Sequence, residues 1–101
     1  MQYIYQMEPD EKLIRLREEI DALDRELFTL LARRMSIALE IGSIKKDLGM
    51  PVSDPVREAL LKARLKEFAS DILEPRHVEE LASVMIRISR NLQERGSDTS
   101  T

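Results

Sequence analysis

The sequence contains no cysteine, no tryptophan and a single histidine, His77, and its only aromatic residues are Tyr3, Tyr5, Phe28 and Phe68. Without cysteine there is no disulfide frame, no thiolate nucleophile and no sulfur metal site, and the chain is compatible with a reducing compartment. With so few aromatics the core must be aliphatic. Three glycines and four prolines leave long stretches with nothing to break a helix. No run approaches the ~20 apolar residues of a membrane span, and Met1–Met7 lacks the basic start and apolar centre of a signal peptide. A cytoplasmic protein is the expectation. A net charge of −3 with interspersed signs also excludes the clustered basic face that nucleic-acid binding needs.

What is present is helical. Over 101 residues, 43% hydrophobic and 35% charged, the composition fits one all-α domain. From Leu13 onward, Leu16, Ile20, Leu23, Leu27, Leu30, Arg34, Ile37, Ile41, Ile44 and Leu48 follow one another at spacings of three and four, a pattern of helical period. Nothing between Pro9 and Gly49 interrupts it, so one helix of about 40 residues is expected. At 1.5 Å per residue it would be ~60 Å long, about twice the diameter of a compact domain of this length. A monomer cannot cover such a rod, and a closed two-fold dimer is the commonest solution. Asp10, Glu11, Glu18 and Glu19 suit its positive end, Lys45 and Lys46 its negative end, and Gly49 and Pro51 stop it.

Ser53-Asp54-Pro55 opens a second helix, with Asp54 as N-cap and Pro55 at the first helical position. Its inner face would be Val56, Leu60, Ala63 and Phe68, and it would end near residues 70–73. Glu74-Pro75 opens a third, with Val78, Leu81, Met85, Ile88 and Leu92 inward. Residues 1–8 read as a leader, 9–95 as the helical domain, and 96–101 as a frayed polar tail. There is no internal repeat, no glycine-rich phosphate loop and no cluster of metal ligands.

Arg34 is the position that points to function, because it interrupts an otherwise apolar stripe and should be buried. A guanidinium cannot neutralise itself, so burial is costly unless an anion meets it. Lys45, eleven residues on, lies about 20° around and roughly 16 Å along the same helix, so both cations face one space. Either they clamp an anionic ligand, or Arg34 pairs with a buried Glu and Lys45 complements the helix dipole. Ser89 and Gln93, four apart, flank the third stripe and can reach an interior site, or are ordinary boundary polarity. Glu58 suits the start of the second helix as a dipole-compensating charge. Arg57, beside it, has no such explanation. Arg17 is explained by a surface pair with Asp21 as a solvated charge.

Together these residues resemble the all-helical chorismate mutases, a family of intertwined three-helix homodimers. The likeness runs from about Leu13 to Gln93. It is carried by residues 16–24 (LREEIDALD), 30–34 (LLARR), 41–45 (IGSIK) and 51–58 (PVSDPVRE), with Ser89 and Gln93, in that order and spacing. The resemblance implies a three-helix chain, one helix very long and two shorter, in an intertwined homodimeric bundle. It implies rearrangement of chorismate, a dianion, to prephenate in phenylalanine and tyrosine biosynthesis, with no cofactor, nucleophile or proton transfer. Arg34 and Arg17 would hold the two carboxylates with Ser89 assisting, and Lys45 and Gln93 would hydrogen-bond the ether oxygen. Glu58 would take the substrate hydroxyl with backbone near Asp54, and Arg57 would add positive potential. Arg17 and Arg34 are about 25 Å apart along one helix, so Arg17 would serve the other subunit's site. Association with another shikimate-pathway enzyme is also known in such families. Two alternatives stand beside this: an isochorismate-pyruvate lyase on the same scaffold, and a non-catalytic helical regulatory or docking dimer.

Overall fold

The computed structural model describes residues 8–99; residues 1–7, which hold Tyr3 and Tyr5 and most of the expected leader, and the last two residues lie outside the described part. Three α-helices are present: α1 (Pro9–Leu48), α2 (Pro55–Leu65) and α3 (Pro75–Thr99), with a single 3-10 turn at Lys66–Phe68 after α2. The described residues contain no strand. The chain divides into two compact units, residues 1–33 and residues 34–101.

The first unit is the N-terminal part of α1. Acidic Asp10 and Glu11 lie in its first turn, favourable at the positive end of the helix dipole. Its large apolar residues are uncovered by the chain itself: Leu16, Ile20, Leu23, Leu27 and Leu30 are each more than half exposed, as is Phe28.

In the second unit, residues 34–48 of α1, α2 and α3 form a thin core. Ala38, Val78, Ala82 and Ile86 are its buried apolar residues, joined by buried Gly42 and Gly96. Glycine is required at both positions. A Cβ on Gly42 would lie 2.0 Å from the backbone oxygen of Gln93, and one on Gly96 would lie 2.1 Å from that of Leu39. The backbones of α1 and α3 therefore touch, and no side chain larger than hydrogen fits between them.

Along α1 the row covered within the single chain is Arg34, Ala38, Gly42 and Lys45, because the small residues admit α3; Ile37, Ile41, Ile44 and Leu48 are exposed in the single chain, as a face awaiting a second copy would be. Several other expectations are corrected. Arg34 is half-buried rather than buried. On α2 the packed face is Glu58, Leu61 and Leu65; Val56, Leu60, Ala63 and Phe68 point outward. On α3, Ala82 and Ile86 take the place expected of Leu81, which is 55% exposed.

The ends of the two shorter helices also differ from the reading. α2 stops at Leu65 because the chain tightens into the 3-10 turn and becomes extended at Ala69. The Ser70 hydroxyl then accepts from the backbone N–H groups of Ile72 and Leu73, at 3.2 and 3.0 Å. This is a side-chain-stabilised turn without the glycine that would have announced it. α3 runs on through Gly96 to Thr99, so the tail expected to fray from residue 96 is helical to there, with Gly96 packed against the Leu39 backbone. At its start His77 Nδ1 accepts from the Glu74 N–H at 3.1 Å while the Glu74 carbonyl accepts from the His77 N–H, a reciprocal cap in which histidine fills the role usual for glutamate.

A cationic cavity walled by the three helices

Lys45 is placed by the way α1 ends. Gly49 takes a positive φ of 68°, and the Met50 N–H bonds back to the Lys45 carbonyl at 2.8 Å and the Gly49 N–H to that of Lys46 at 3.1 Å. This is the paired termination that a left-handed glycine allows. It fixes Lys45 in the last turn and turns the following segment back over it. The Lys45 ammonium then donates to the Val52 carbonyl at 2.9 Å and to Gln93 Oε1 at 2.8 Å. An ammonium has three N–H groups; the third has no acceptor among the described residues.

Gln93 is held opposite Lys45 by the close approach at Gly42, whose Cα faces the Gln93 backbone. With Oε1 committed to Lys45, the amide nitrogen is left as a donor. Ser89, one turn earlier on α3, is half-buried on the same side.

The start of α2 supplies the facing wall. Asp54 Oδ1 accepts from the Arg57 N–H at 3.0 Å, so the Asp54 side chain caps the helix as expected. Pro55 fits at the first position, where its missing N–H costs nothing. One residue past Arg57, Glu58 meets Arg90 of α3 in a two-pronged ion pair: Arg90 Nε donates to Oε2 at 2.9 Å, and its NH2 group donates to Oε1. The Arg90 hydrogen bond holds the Glu58 carboxyl below its ordinary range, against the opposing effect of partial burial.

These side chains line one cavity of about 110 Å³, walled by Arg34, Ile41, Lys45, Val52, Asp54, Arg57, Glu58, Leu61, Ile86, Ser89, Arg90 and Gln93. Seven of the eight residues singled out in the sequence are there. The eighth, Arg17, belongs to the N-terminal unit. Arg34 has no ion pair among the described residues, so the buried-Glu alternative is not realised there. The walls carry four cations and two carboxylates. One carboxylate is spent on Arg90 and the other caps α2, leaving a surplus of positive charge suited to an anion with two negative charges.

Arg90 was missed by the sequence reasoning. It lies four residues after Ile86 and three before Gln93, so the helical period alone puts it beside the inward face. Among the described residues no three His, Cys, Asp or Glu side chains gather in a way that could hold a metal ion. No helix there is long and apolar enough to cross a membrane.

Comparison with known proteins gives a consistent picture. A model of the chorismate mutase type II family matches residues 16–94. The chorismate mutase of Methanocaldococcus jannaschii is 36% identical over 61 residues, which is 60% of this chain and 62% of that protein. The T-protein of Enterobacter agglomerans is 35% identical over 79 residues, 77% of this chain but only 21% of its own length. The 4-amino-4-deoxychorismate mutase of Streptomyces venezuelae is 37% identical over 65 residues, 64% of this chain and 63% of that protein. The chain thus spans less than two thirds of the length of each of these relatives. No solved structure matches it.

Proposed function

Because the chain belongs to the chorismate mutase type II family, we propose that it converts chorismate to prephenate. In this rearrangement the ether C–O bond breaks as a C–C bond forms within the same molecule, so no nucleophile, proton or cofactor is consumed. Catalysis then consists of holding the flexible dianion in its reactive fold and stabilising the negative charge that gathers on the ether oxygen.

The observation that carries this reading is the Lys45–Gln93 pair. Its 2.8 Å bond leaves one ammonium N–H and the amide NH2 as neighbouring donors on the wall of a cationic cavity, a suitable arrangement for one developing oxyanion. Arg34 binds one substrate carboxylate, with Ser89 assisting. Glu58 accepts from the substrate hydroxyl, with backbone near Asp54 contributing, and Arg57 adds positive potential at the rim.

The second carboxylate is assigned to Arg17 of the partner subunit in an intertwined homodimer. The uncovered row Leu16, Ile20, Leu23, Leu27 and Leu30 supports the dimer, since contiguous exposed apolar surface of this kind marks an interface. So does the small core of the second unit, because a chain of this size buries little surface by itself.

The testing experiment is incubation of the purified protein with chorismate, isochorismate and 4-amino-4-deoxychorismate in turn, with products identified by mass spectrometry. Saturable formation of prephenate from chorismate, lost in Arg34→Ala, is expected. Salicylate and pyruvate from isochorismate alone would make the protein a lyase. No product from any of the three, with the protein folded, would leave a binding role.

A further inference from the structure

The Glu58–Arg90 pair asks for an explanation beyond stability. Glu58 stands four residues before Lys62 on α2, the orientation in which a glutamate and a lysine ordinarily pair along a helix. That pairing is not made: Lys62 engages Glu79 at 3.0 Å, and the Glu58 carboxylate is taken up by Arg90 from the neighbouring helix. The side chain of Glu58 is 17% exposed and that of Arg90 45%, so the carboxylate is the enclosed partner and the guanidinium reaches it from the solvent side. Both residues also line a second cavity, together with Lys62 and Arg87, so the pair is part of a wall shared by two spaces.

We infer that Arg90 is a positioning residue, whose fork turns the Glu58 carboxylate toward the first cavity and away from Lys62, ready to accept a hydrogen bond from the substrate hydroxyl. The inference rests on the function proposed above and adds a residue to it. A planar guanidinium bonded to both oxygens fixes the plane of a carboxylate, which a lysine cannot do. It occupies one lone pair of each oxygen and leaves the other for a ligand. Around Glu58 the charged groups are Arg90 on α3, Lys62 on its own helix, Arg34, Lys45, Asp54 and Arg57 on the wall of the first cavity, and Arg87 of α3 on that of the second. Arg90 is the one hydrogen-bonded to the carboxylate through its side chain. Removing it therefore loosens the orientation and raises the pH at which the carboxyl protonates.

The test compares wild type, Arg90→Gln and Arg90→Lys in two readouts: the titration of the Glu58 carboxyl by carbon-13 NMR, and the acid limb of the kcat/KM profile for chorismate. In Arg90→Gln both should move to higher pH together. In Arg90→Lys, which keeps the charge and loses the fork, the titration should move less while kcat/KM still falls on the plateau. A merely structural arginine would lower the rate equally at all pH values; an unmoved acid limb in Arg90→Gln would overturn the inference. Should Arg90→Gln fail to fold, a wild-type plateau in Arg90→Lys would overturn it instead. Absence of turnover by the wild type would defeat the mutase reading itself, and the NMR titration would still decide whether Arg90 governs the Glu58 carboxyl.

Discussion

Residues 9–33 and residues 34–48 are two stretches of one helix with the same apolar spacing and different surroundings. In the first stretch Leu16, Ile20, Leu23, Leu27 and Leu30 are each more than half exposed. In the second, Ala38 and Gly42 are buried, and Arg34 and Lys45 are half-buried beside them. Periodicity identifies residues that share a face; it does not say what covers the face. Where the helix carries Ala38 and Gly42, the backbone of α3 comes in. Where it carries leucine and isoleucine, its own chain supplies no cover, and a second copy is the proposed one. On the proposed function the chemistry falls where α3 packs on the helix, and association falls on the exposed apolar row, which Ile37, Ile44 and Leu48 continue into the second stretch.

The sharpest way to break this division is inside the cavity. Lys45→Met removes the donor to both Gln93 and Val52 together with its charge, and should lower kcat by on the order of 100- to 1000-fold while the protein stays dimeric by sedimentation. A loss of dimer in this variant would show that the two regions are not separable.

On the other side of the comparison, Leu23→Asp places a charge on a residue 62% exposed in the single chain. If that surface were open in solution the change would cost no more than about 0.5 kcal/mol. A covered apolar face predicts instead dissociation or unfolding at micromolar concentration, measured by sedimentation and thermal melting.

Gly42→Ala probes the contact that sets Gln93. The added methyl would lie 2.0 Å from the backbone carbonyl oxygen of Gln93, with no flexible side chain to yield. Overpacking of this kind should cost about 1–3 kcal/mol in denaturant unfolding and lower kcat as well, because Gln93 moves with its helix.

The mildest prediction concerns pH. The amide of Gln93 donates at any pH, so it should contribute no fall in activity between mildly acidic and mildly basic conditions. In Gln93→Glu the donor exists only while the carboxyl is protonated, and activity should fall as pH rises through its titration. A steep alkaline loss in the folded wild type would count against the role given to Gln93.

Much of this was legible in the sequence because it depends on local rules. Pro9, Gly49, Asp54-Pro55 and Glu74-Pro75 delimit the helices through their backbone restrictions, and α1 begins and ends where they require. Arg34, Lys45, Ser89 and Gln93 stand on or beside inward faces by their spacing, Glu58 enters only through the family resemblance, and all five line one cavity. What was not legible depends on pairs distant in sequence. Val56, Leu60 and Phe68 read as inward because they are apolar, but α3 approaches the other side of α2, where Glu58, Leu61 and Leu65 lie. Gly96 reads by itself as the start of a frayed tail, and as a contact only when Leu39 is beside it. Arg90 acquires meaning only from Glu58, 32 residues away.

The central claim is a site shared between subunits, and subunit complementation tests it most directly. Arg17→Ala and Arg34→Ala, each inactive by itself, are mixed in equal amounts, unfolded together and refolded. With Arg17 acting across the dimer, half of the randomly paired dimers contain one intact site of two, so activity should return to roughly a quarter of the wild-type value. No recovery, from a mixture shown to have refolded and exchanged chains, would place Arg17 in its own subunit's site or outside any site, and would contradict the account.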